Sequence, residues 1–119
     1  MSDAIRTYVR YDVKDEGGET RRERNDRFGH ESPPLEYPFA AAHLWEWYFD
    51  LSQRLRRVRD GVCEPIPPSE FEAWQRLTGN IVYRHEYAIL AAMDAAYCDE
   101  MNKELADYQE RMREKAEKR

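Results

Sequence analysis

The stretch Val82–Met112, VYRHEYAILAAMDAAYCDEMNKELADYQERM, carries the strongest periodic signal in the chain. Leu90, Met93, Tyr97, Met101, Leu105, Tyr108 and Met112 recur at intervals of three or four. The mean step is about 3.7 residues, the period of an α-helix. Neither Gly nor Pro occurs after Gly79, so the spacing predicts one helix over residues 82–115. Beyond Leu105 the stripe thins and charges of both signs alternate. That end reads as a solvent-exposed helix.

Moving towards the N-terminus, residues 70–78 read as a second helix. Ser69 suits the N-cap, with Glu72 three positions on, the pattern of a capping box. Phe71, Trp74 and Leu77 form its apolar edge, and Gly79 supplies the stop. A first helix is expected over residues 39–62. Pro38 fits its first turn. Leu44, Trp47 or Tyr48, Leu51, Leu55 and Val58 build one apolar stripe. Arg54, Arg56, Arg57 and Arg59 complement the dipole at its C-terminal end, and Gly61 with Pro65, Pro67 and Pro68 ends it.

The N-terminal segment behaves differently. In residues 4–13, AIRTYVRYDV, Ile5, Thr7, Val9, Tyr11 and Val13 alternate with polar or aromatic residues. Period two predicts a strand over residues 5–13. A lone strand requires a second strand or an edge on another molecule. Residues 14–34 are rich in charge, with Gly17-Gly18 and Pro33-Pro34, and read as a flexible linker. Its Arg21, Arg22, Arg24 and Arg27 are interleaved with Glu19, Glu23 and Asp26, which favours a solvated polyampholyte over a nucleic-acid contact. The fold class expected is therefore mainly α: a small bundle of about three helices, preceded by a strand and a charged linker.

Composition sets the frame. The chain has 119 residues and a net charge of −5, which suits one domain and disfavours a basic nucleic-acid binder. No apolar run approaches the roughly 18 residues a membrane span needs. The N-terminus lacks a charged-then-apolar leader pattern, so a cytoplasmic location is expected. Of the 20 Leu, Ile, Val and Phe residues, 15 fall in residues 35–101. That divides the chain into a polar extension (1–34), a helical core (35–101) and a charged C-terminal extension (102–119). So small a core is marginal alone and invites a partner or self-association.

No constellation for catalysis emerges. There is no phosphate-binding Gly loop, CxxC, HExxH or calcium loop. His43 and Glu46 share a helix face at i, i+3, but one His and one carboxylate make an incomplete metal site. Cys63 and Cys98 form neither a disulfide framework nor a zinc pattern and read as reduced thiols. On one straight helix His85 and Cys98 are roughly 20 Å apart, too far to form a nucleophile and base. No enzyme, metal or cofactor is expected.

The aromatics stand out. Trp45, Trp47, Tyr48 and Phe49 crowd about one and a half turns, and they cannot all face one small core. Trp47 and Tyr48 can join Leu44 and Leu51, whereas Trp45 and Phe49 face another side. Either a second helix covers that side, or it is an interaction surface of the kind in which Trp and Tyr are enriched. Trp45, Phe49, Trp47, Tyr48 and Trp74 are the candidate partner-binding residues.

Three segments carry a resemblance: LEYPFAAAHLWEWYFDLS at residues 35–52, PIPPSEFEAWQRLTG at 65–79 and HEYAILAAMDAAY at 85–97. In their order, and in the spacing of Glu70, Trp74, Leu77-Thr78-Gly79, Glu86, Leu90, Asp94 and Tyr97, the chain resembles the small tail assembly chaperones of long-tailed bacteriophages and prophages. That group includes the downstream member of lambda's frameshifted pair. The likeness spans about Pro34 to Met101. It implies a non-enzymatic role: binding the tape measure protein and/or tail tube subunits during tail morphogenesis, in the host cytoplasm, and absence from the finished tail. The first 33 residues and the long C-terminal helix depart from that pattern. Two other roles compete. One is a connector subunit that stays in the particle. The other is a small regulator using Arg54, Arg56, Arg57 and Arg59 on host protein or nucleic acid, which six basic against eleven acidic residues in 35–101 disfavour.

Overall fold

A computed structural model describes residues 1–118. The protein is mainly helical, with five α-helices and one two-stranded sheet among these residues. In chain order they are α1 (Ser2–Asp12), α2 (Arg21–Arg27), α3 (Ala42–Ser52), β1 (Val58–Arg59), β2 (Val62–Cys63), α4 (Pro68–Thr78) and α5 (Arg84–Glu117). A single 3₁₀ turn, Phe39–Ala41, leads into α3.

α5 is the spine. At 34 residues it is about 51 Å long at 1.5 Å per residue, nearly the full 53 Å of the molecule. Its N-terminal half buries Leu90, Met93 and Ala96 against the rest of the chain. Its last turns carry exposed charges, as the thinning stripe suggested. The α4 helix also follows expectation, with Phe71 and Trp74 inward and Gly79 closing it at φ 76°. Its start differs. Pro67 occupies the N-cap and Pro68 the first turn, so Ser69 lies inside the helix and caps nothing.

The expected strand over 5–13 is a helix. Ile5 and Val9 satisfy both a period of two and a period of 3.6, which made the segment ambiguous. Packing chooses: Ala4, Ile5 and Val9 are buried in one ridge, while Thr7, Tyr11 and Val13 are not. α1 lies along α5 and reaches α3 with Tyr8, so no second strand is required. Nor is the segment 14–34 an unstructured linker. Thr20 caps α2, its hydroxyl accepting from the Glu23 amide at 3.1 Å. The arginines there are matched with acids: Arg21 with Glu104, Arg22 with Asp12, Arg24 with Asp15, and Arg27 with Glu19.

The single helix expected over 39–62 is broken. α3 ends at Ser52, and a hairpin follows. Val58 pairs with Cys63 and Arg59 with Val62 in antiparallel register. Asp60 and Gly61, at φ 54° and 79°, form the two-residue turn. Positive φ at both central residues is the type I′ signature that joins twisted strands, so this Asp-Gly starts a hairpin and does not cap a helix. Trp47, Leu55, Tyr97 and Met101 pack around one cluster whose centre is Ile5, Leu44, Tyr48, Ile66, Leu90 and Met93.

Candidate functional site

Beneath the surface, a buried polar hub sets the relative positions of α3, the hairpin and α5. Asp94, in the middle of α5, is 4% exposed. Its Oδ1 accepts from the Tyr48 hydroxyl at 2.8 Å and from the Arg57 guanidinium. Its Oδ2 accepts from the Ile66 amide at 2.8 Å. Arg57 also donates to Ser52 Oγ and, at 3.2 Å, to the Glu64 carbonyl, and it lies 4.9 Å from the Tyr97 ring centre. Burial works against the Arg57 charge, but hydrogen bonding to Tyr48 and the charge of Asp94 outweigh it and raise its pKa further. Burial and the Asp94 charge hold the Tyr48 hydroxyl protonated.

The sequence pattern places Arg57 at the C-terminal end of a long first helix. The chain instead turns after Ser52 and sends this guanidinium inward. Arg54 pairs with Asp50, and Arg59 with Glu64. Of that arginine set only Arg56 makes no ion pair among the described residues, so the four do not form a free basic face.

The crowded aromatics fall on two sides of α3. On one, Trp45 and Phe49 meet Tyr8 of α1 at centroid distances of 5.9 and 4.8 Å, and Tyr37 stacks on Trp45 at 4.7 Å. The side that needed either a covering helix or a partner is thus covered by α1. On the other, Trp47 packs edge-on to Trp74 at 5.8 Å, and the Trp74 indole donates to Asp50 at 2.8 Å. Tyr48 is wholly buried and Trp74 is buried, while Trp45, Trp47 and Phe49 keep part of their rings at the surface.

His43 does not face Glu46. Its Nε2 lies 2.6 Å from Glu86 Oε2, and Glu86 Oε1 accepts from the Tyr83 amide at 3.1 Å. These contacts fasten the start of α5 to α3 and hold the Glu86 carboxyl below its usual pKa, first through the His43 hydrogen bond and then through the Tyr83 amide. No group of three His, Cys, Asp or Glu side chains converges as a metal site among the described residues. Cys63 and Cys98 are both buried and form no disulfide; the Cys63 thiol donates to Cys98 Sγ at 3.4 Å.

A surface that sequence reasoning missed lies at the α4–α5 connection. Leu77, which the spacing puts on the apolar edge of α4 with Phe71 and Trp74, is 87% exposed; Ile81 is 68% and Tyr83 61% exposed. The connection is held in place, because the Val82 amide donates to Gln75 Oε1 at 3.0 Å. Three large apolar side chains within seven residues of an ordered turn make an apolar edge of the kind that marks a contact surface. The signal was present in Leu-Thr-Gly-Asn-Ile-Val-Tyr: a helix stop followed by apolar residues with no helix to hide them.

No helix among the described residues is long and apolar enough to cross a membrane. No curated protein and no solved structure matches the chain. A family described as phage tail assembly chaperone matches residues 19–99, from the Thr20-capped helix to just past the Asp94 hub. That match covers more than half of the chain, which therefore belongs to the phage tail assembly chaperone family.

Proposed function

We propose that the protein is a non-enzymatic chaperone that holds the tape measure protein, the tail tube protein or both while a phage tail is built. Family membership over residues 19–99 carries this reading. The exposed edge of Leu77, Ile81 and Tyr83, at the end of α4 and the turn into α5, supports it as the docking surface. A tape measure protein is long and helical and exposes apolar stripes before assembly, where aggregation threatens. An apolar edge on a rigid base covers such a stripe in the helix-in-groove manner. Trp47 contributes its exposed edge, Tyr48 and Trp74 act from below by fixing α3 and α4, and Trp45 and Phe49 lie on the opposite side of α3 against Tyr8 of α1.

The test is affinity capture from phage-producing cells, with mass spectrometry of the captured proteins and of purified particles. Tape measure or tube protein captured, with this chain missing from particles, is the expected result. Leu77→Ser with Ile81→Ser should abolish capture while leaving the circular dichroism spectrum intact. Stoichiometric presence in finished particles would instead make the protein a connector subunit.

A further inference from the structure

The chain has a second surface, far from the Leu77 edge, built almost wholly by its two extensions. α1 and the turn after it face the C-terminal half of α5 across a groove of about 500 Å³. That lies within the range of roughly 300–1,000 Å³ typical of ligand clefts. Its floor is apolar: Val9 and Val13 on one wall, Met101, Leu105 and Tyr108 on the other. Met101, Leu105 and Tyr108 follow one another by four and three positions, so they form a stripe along α5 about 10 Å long.

The rim has a definite charge. Three of its carboxylates are already matched: Glu104 with Arg21, Asp15 with Arg24, and Glu19 with Arg27. Arg10, Lys14 and Arg111 line the groove and make no ion pair among the described residues, against one such carboxylate, Glu16. Arg10 and Lys14 stand on one wall and Arg111 on the other. A protein of net charge −5 thus keeps a local excess of unpaired cations around an apolar trough.

We infer that this groove binds an acidic amphipathic helix of a partner protein, its apolar face on Leu105 and Tyr108 and its carboxylates against Arg10, Lys14 and Arg111. An α-helix presents apolar residues at i, i+4 and i+7, the step of the floor itself. A basic helix would meet like charge on both walls. Apart from Glu19, Arg21 and Arg24, the lining lies outside residues 19–99, so the surface does not rest on the family match.

Two fluorescein-labelled synthetic 18-residue helices provide the probe. They share one leucine stripe and differ only in a Glu or a Lys polar face. Fluorescence anisotropy with the full chain should show the Glu peptide binding about eightfold tighter, from three rim charges each worth a factor of about two. At 0.5 M salt the two peptides should converge. Arg10→Glu, Lys14→Glu and Arg111→Glu together should invert the preference, with circular dichroism confirming the fold. Amide chemical shifts should move at residues 101–108 and stay still at 77–83. Equal binding of the two peptides, no binding of the Glu peptide at millimolar concentration, or shifts confined to 77–83 would each overturn the inference. No tail protein enters this assay, so its failure and a failure of client capture are separate results.

Discussion

The Arg57–Asp94 pair is the most informative place to perturb the fold. Their side chains are 8% and 6% exposed, so each charge depends on the other rather than on water. Asp94→Leu strands the guanidinium and leaves the Tyr48 hydroxyl and the Ile66 amide without their acceptor. Removing one partner of a buried pair costs about 3–5 kcal/mol. Arg57 keeps Ser52 Oγ and the Glu64 carbonyl, which favours the lower half, about 3–4 kcal/mol. A domain of this size has roughly 6–18 kcal/mol in all, so the variant should be folded but visibly weakened. Urea unfolding followed by tryptophan fluorescence reads the change. With a slope of about 2 kcal/mol per molar, the midpoint should fall by roughly 1.5–2 M. Arg57→Met should fall similarly, by stranding Asp94. The double variant Arg57→Met/Asp94→Leu leaves no charge in the hub, so it should be more stable than the sum of the singles predicts by at least about 2 kcal/mol. Additive losses, or single losses below about 1 kcal/mol, would show that the hub does not hold the hairpin to α5.

Four further outcomes follow from particular contacts. Burial and the neighbouring Cys98 sulfur push the Cys63 thiol up to about 12, so alkylation by iodoacetamide at pH 8 should be slow in the folded protein and fast in urea. Glu86 has a depressed folded pKa, so its stabilising contribution is present above the ordinary value of 4.5 and is lost as pH falls through the folded value; thermal melts of Glu86→Gln should lack that part of the acid-side loss. Ile5 has no exposed surface, and Ile5→Ala should cost about 2–5 kcal/mol in urea unfolding, a loss that a mobile N-terminal strand would not show. Gly61→Ala, at φ 79°, should cost about 1–2 kcal/mol by the same measurement, and more than Gly17→Ala, whose φ is not positive.

The elements legible in the sequence were those whose signal is local and repeated. α5 announced itself through seven apolar residues at one period, and α4 through its Phe71–Trp74 spacing and Gly79, although the capping pattern places its start at Ser69 rather than at Pro67 and Pro68. The turn Asp60-Gly61 was equally local, but it was assigned to a helix end because the arginines before it suited a helix dipole. The aromatic crowding on α3 was recognisable as needing two covers, and the candidate partner residues came from that count.

What completed the picture was tertiary. Ile5 and Val9 fit a strand and a helix equally well by spacing, and only the trough alongside α5, beside α3, selects the ridge that a helix presents. Arg57 and Asp94 are 37 residues apart, and nothing in either neighbourhood marks them as partners. Leu77 lies on the apolar edge by period, yet among the described residues no element packs over it. Periodicity reports the direction in which a side chain points relative to its own helix. Whether another part of the chain waits there is a property of the assembled fold.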